Sequence, residues 1–109
     1  MYDLDENGNI SNGRLVHRDD NLVCDSMAVD KDGNLYVAKH NSNPANPKGN
    51  IIVIDPQGNI IEEITPPPRS LPSNLGFGRG TDDNSLYLTT LAEFHLWRIH
   101  TVRRGLYWD

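Results

Sequence analysis

Cys24-Asp25-Ser26-Met27-Ala28-Val29-Asp30-Lys31-Asp32-Gly33-Asn34-Leu35-Tyr36-Val37-Ala38 decides the fold. Short apolar runs bounded by turn residues read as strands, and glycine supplies the positive φ that a tight hairpin turn needs. The spacing predicts strands over 26–30 and 34–38, joined by the turn at Asp32-Gly33-Asn34. Asp25 and Ser26 stand at the polar entry to the first strand. A carboxylate there is costly unless it has a partner or a task.

The same punctuation runs through all 109 residues. No segment sustains an i, i+3, i+4, i+7 apolar pattern over three turns, so helices are not expected. Strands are predicted over 2–5, 10–17, 26–30, 34–38, 51–55, 60–64, 75–79, 86–90 and 96–100, an all-β chain. The turns Asn7-Gly8-Asn9-Ile10, Asp32-Gly33-Asn34-Leu35 and Gln57-Gly58-Asn59-Ile60 recur every 25 residues. A fourth polar turn, Thr81-Asp82-Asp83-Asn84-Ser85-Leu86, lacks the glycine.

Alternate periods are the most alike. Met27–Asp30 with Leu35–Ala38 resembles Leu75–Gly78 with Leu86–Thr89, and Tyr2–Asp5 resembles Ile52–Asp55. Four strands in roughly 45–50 residues is the signature of a β-propeller blade. On this count residues 1–18 end one blade, 19–66 form a complete blade, and 67–109 give three strands of a further blade. Rings close with about 4–8 blades. A partial propeller of about two and a half four-stranded antiparallel blades is therefore expected to be a fragment. Missing N-terminal blades or another chain would close the ring and cover its open edges.

Acidic residues outnumber basic ones 15 to 10, for a net charge of -5, which argues against a nucleic-acid footprint. The pair Arg103-Arg104 reads as a solvated turn. One cysteine excludes an internal disulfide, and Cys24, beside a carboxylate, reads as a small packing residue. No apolar run approaches the ~20 residues of a membrane span and no signal-peptide pattern opens the chain, so no membrane partner and a cytoplasmic location are expected.

In a blade, the loop entering the innermost strand and the loop between its second and third strands emerge on one face. Asp25 and Ser26, then Ser73 and Asn74, enter innermost strands, and His40 lies in a second-to-third-strand loop. All converge on one channel mouth. Asp25, Ser26 and Asn74 are oxygen donors suited to a hard cation, which takes ~6–8 such ligands. Asp3–Ile10 mimics the start of a calcium-binding EF-hand loop, but Arg14 stands at its twelfth position and no helix flanks it. There is no Gly-x-Ser-x-Gly elbow. His17 and His100 read as structural, and Tyr36, Tyr87, Phe94 and Trp97 as packing between blades.

The segment Cys24–Ala38 resembles the Asp-Gly-Met-x-x-Asp-x-x-Gly-x-Leu-x-Val-Ala stretch of the gluconolactonase/senescence-marker-protein (regucalcin) family. The likeness continues through Gly49–Pro56, Pro72–Gly78, Leu86–Thr90 and Val102–Leu106. It implies a six-bladed propeller that hydrolyses sugar-acid or related lactones with a divalent cation in its channel, calcium foremost, zinc or magnesium as alternatives. It implies that Asp25 is a metal ligand and general base. It also implies that Ser26, where glycine is common in the family, joins the coordination sphere. The family's other protein ligands, a glutamate and an asparagine, have no match in this chain. His40 and Asn74 are assigned to the lactone substrate. A non-catalytic propeller segment for binding or calcium handling, or an inactive truncated product, are the alternatives.

Overall fold

In the computed structural model, residues 1–41, 43, 45–91 and 95–105 are described. The apolar runs there form β1 (Asp3–Leu4), β2 (Ile10–Ser11), β3 (Val23–Val29), β4 (Leu35–His40), β5 (Gly49–Ile54), β6 (Ile60–Ile64), β7 (Pro72–Phe77), β8 (Ser85–Thr90) and β9 (Leu96–His100). The one helical element among the described residues is a 3-10 turn at Gly80–Asp82. The chain is all-β. Each sheet is an antiparallel meander: β1-β2, β3-β4-β5-β6 and β7-β8-β9. They span Asp3–Ser11, Val23–Ile64 and Pro72–His100 respectively. Phe94 and Leu106 lie outside the described residues.

Several predicted boundaries moved: the strand expected over 34–38 runs Leu35–His40, that over 51–55 runs Gly49–Ile54, and that over 75–79 runs Pro72–Phe77, which places Ser73 and Asn74 inside a strand. The strand expected over 10–17 ends at Ser11, because Asn12 takes a φ of 51° and turns the chain, its amide donating to Asp3 at 2.9 Å. The strand expected from residue 26 starts at Val23, since Val23 and Cys24 extend the ladder opposite His40 and Lys39. Asp25 and Ser26 are thus inside β3 and not in a loop before it.

The core follows from alternation. Side chains two apart share a face, so Tyr36 and Ala38 of β4 and their partners Val53 and Ile51 of β5 point the same way. They meet Leu75, Leu86 and Leu88 of the β7–β9 sheet in one buried cluster. Tyr36 and Phe77 join the sheets edge to face, with ring centroids 5.1 Å apart. Burying each such aliphatic side chain contributes about 1.5–3 kcal/mol. Ile52 and Ile54 are buried on the opposite face of β5, which explains the unbroken apolar run Ile51–Ile54.

The glycine turns are three copies of one device. Asp5, Asp30 and Asp55 each accept, through Oδ1, the backbone N–H groups two and four residues on, and through Oδ2 the side chain of Asn9, Asn34 or Asn59. The intervening Gly8, Gly33 and Gly58 sit at φ of 85°, 84° and 90°. N–H donation by Asn9 and Asn59 holds the Asp5 and Asp55 carboxyls below their ordinary range. A depressed folded pKa contributes stability that is present above the unfolded value near ~3.9 and lost as pH falls through the folded pKa. Urea midpoints are therefore expected to fall between roughly pH 5 and pH 2. The double variant Asp5→Asn, Asp55→Asn should show a flatter profile; an unchanged slope would mean these turns do not carry it.

The residues after β9 correct the reading of Arg103-Arg104 as a solvated turn. Arg103 Nη1 donates to Glu62 Oε2 at 2.6 Å and to the Tyr36 hydroxyl at 3.2 Å. Arg104 Nη1 donates to Asp83 Oδ1 at 2.7 Å, while Lys31 Nζ donates to its Oδ2 at 3.0 Å. Burial pushes the Asp83 carboxyl up, but the two cations prevail and hold it below its ordinary value. Gly105 bridges to Asp30, and Phe77 fills the space that a Cβ there would need. The tail thus ties the four-stranded sheet to the three-stranded one.

Candidate functional site

β3 and β7 are the first strands of their sheets and pack side by side. Both ladders slip at the same place. Cys24 faces Lys39 and Met27 faces Val37, so Asp25 and Ser26 share the position opposite Ala38. Pro72 faces Thr90 and Asn74 faces Thr89, so Ser73 is the extra residue of β7. Such bulges kink a strand and re-aim its side chains.

Two hydrogen bonds link the bulges, each across 48 residues. Ser26 Oγ donates to Asn74 Oδ1 at 2.7 Å, and Ser73 Oγ donates to Asp25 Oδ2 at 3.1 Å. Asn74 Oδ1 also accepts the Leu75 N–H at 2.9 Å. From the end of β4, His40 Nε2 reaches the same Asp25 Oδ2 at 3.0 Å. A carboxylate only accepts, so Nε2 carries the proton. The His40 side chain is 6% exposed and that of Asp25 is 40%. His40 is therefore a buried strand residue turned toward Asp25, where the sequence placed it in a loop facing substrate.

This geometry excludes a serine relay at Ser73, whose proton goes to the carboxylate and not to an imidazole. What remains is an oriented carboxylate flanked by hydroxyl and amide oxygens. These are hard-cation donors. Among the described residues no group of three or more His, Cys, Asp and Glu converges as a metal cluster.

Residues 1–92 match the family model for the SMP-30/Gluconolactonase/LRE-like region. The chain belongs to this family. All of Asp25, Ser26, His40, Ser73 and Asn74 lie within the matched residues, as do β1 to β8. The family includes lactonases. No curated protein and no solved structure matches the chain.

On the opposite side of β4, this family member carries a second polar cluster that the sequence did not announce. Lys39, 5% exposed in its side chain, donates through Nζ to Asp19 Oδ2 at 2.6 Å and lies 3.2 Å from His17 Nε2. The Lys39 bond, with N–H donors from Asn21 and Leu22, holds the Asp19 carboxyl far below the usual range. The cluster anchors the segment between β2 and β3. Cys24, expected to pack, is exposed. It borders a groove of about 710 Å³ lined by apolar groups such as Tyr2, Leu15, Met27 and Val37. Asp25 is not in the wall of that groove, and the convergent polar groups lie at the bulges.

Proposed function

We propose that this chain is part of a metal-dependent lactone hydrolase built on a six-bladed β-propeller, acting on sugar-acid or related lactones. The observation that carries the reading is the Asp25 carboxylate, held by His40 and Ser73 at the bulge of a sheet's first strand in a chain of a lactonase-containing family. The three meander sheets are the blades, and further blades, in this polypeptide or another, complete the ring.

Asp25 and Ser26 are the groups of this chain that would hold a divalent cation, with calcium favoured by their oxygen donors. When bound, such a cation supplies Lewis-acid polarisation of the lactone carbonyl. The Asp25 carboxylate accepts a proton from the hydrolytic water, a task that requires hydrogen-bond reach and a free lone pair. Asn74, exposed beside Ser26, is placed to meet the hydroxyl groups of a sugar-derived lactone. His40 acts on the substrate only through Asp25.

The test is acid release from a panel of aldonolactones. The chain alone should be inactive. Joined to the remaining blades, it should hydrolyse lactone with Ca²⁺, lose the activity to a chelator, and regain it when Ca²⁺ returns. A closed ring with no cation-dependent hydrolysis of any lactone would sink the proposal.

A further inference from the structure

Asp25 has two carboxylate oxygens, and the described residues treat them differently. Oδ2 accepts from both His40 Nε2 and Ser73 Oγ, at 3.0 and 3.1 Å, whereas Oδ1 accepts no hydrogen bond from the described residues. We infer that His40 is a positioning residue: with Ser73 it fixes Asp25 by Oδ2 so that Oδ1 is the oxygen offered to a cation. The inference rests on the metal-dependent reading above and says which atom of its ligand works.

Three features support it. His40 is nearly fully buried while Asp25 is partly exposed, so the imidazole backs the carboxylate on its protein side. The two donors come from different sheets, β4 and β7, so the carboxylate is held across the junction between sheets. Both donors fall on one oxygen, which fixes the rotation of the carboxylate as well as its position. Donors behind a ligating carboxylate orient it, and their loss typically costs about 10–100-fold in metal affinity.

The test uses the 109-residue chain with two readouts. In long-range ¹H–¹⁵N spectra of the metal-free chain, the neutral His40 ring should be the Nε2–H tautomer. It should lose that preference in Asp25→Ala. An Nδ1–H tautomer in the unaltered chain overturns the inference. The second readout is broadening of the Asp25 carboxyl ¹³C signal by Mn²⁺. His40→Leu should raise the half-broadening concentration at least about 10-fold, and Ser73→Ala should raise it too. His40→Gln, whose amide can still donate to Oδ2, should stay within a few-fold of the unaltered chain. Equal Mn²⁺ response in His40→Leu and the unaltered chain overturns the positioning role. If Mn²⁺ leaves the unaltered chain unbroadened, the cation reading fails, and the tautomer result still decides whether His40 holds Asp25.

Discussion

Asp25→Ala, introduced into a ring completed by its remaining blades, is expected to lower kcat/KM for lactone hydrolysis roughly 10²–10⁴-fold. The response to added Ca²⁺ should disappear with it. The variant removes the carboxylate that the two bulges and His40 converge on, and water left in its place carries no charge. Asp25→Asn is the sharper version. Its amide oxygen still accepts from His40 and Ser73, so the local hydrogen bonds survive while the negative charge is lost. Activity should be nearly as low as in the alanine variant, at a stability within about 0.5 kcal/mol of the unaltered protein, as for most partly exposed positions. Full activity in Asp25→Asn would show that charge at this position is not used, and another residue would have to take its role.

The largest stability effect is expected at Asp30, one residue past β3. Asp30 is fully buried. Its Oδ1 accepts the N–H groups of Asp32 and Asn34 at 3.0 and 2.9 Å, and its Oδ2 accepts the Asn34 side chain at 2.8 Å. Arg103 Nε lies 4.0 Å from Oδ2. Asp30→Ala leaves the Asn34 donors at a buried site without an acceptor, at about 1–3 kcal/mol for each unsatisfied group, while Arg103 keeps its bond to Glu62. Asp30→Asn keeps the Oδ1 bonds but sets an amide nitrogen against the Asn34 amide, and should fall between the two. Urea unfolding followed by tryptophan fluorescence measures both. Asp55 makes the same turn in the open, so Asp55→Ala should cost far less. Equal losses at the two positions would mean that burial does not decide the cost.

That contrast also marks how far sequence reaches in this protein. The Asp-x-x-Gly-Asn turns, their interval of 25 and the apolar runs between them are local features. They fixed the nine strands of the described residues and the all-β class, because a turn is closed by atoms within five residues of one another. The resemblance at Cys24–Ala38 likewise pointed to the family that the match over residues 1–92 shows. Asp25 was visible as an odd carboxylate for the same reason: charge at a strand is conspicuous in one dimension.

Tertiary structure decided everything that depends on which side chains meet. His40 was read as an exposed loop residue, because the polar run Lys39–Asn43 looks like a loop. In space β4 extends through His40, and its imidazole is buried against a carboxylate 15 residues away. Ser73 and Asp25 meet across 48 residues, and Arg103 and Tyr36 across 67, separations at which periodicity carries no information. The bulges matter most. A single extra residue reverses which face a side chain takes, so the aim of Asp25 and Ser26 depends on a slip in pairing with β4 that leaves no mark on the apolar pattern. Local chemistry wrote the strands and turns; only the packing of β3 against β7 turned Asp25 into one oriented carboxylate with a held oxygen and an offered one.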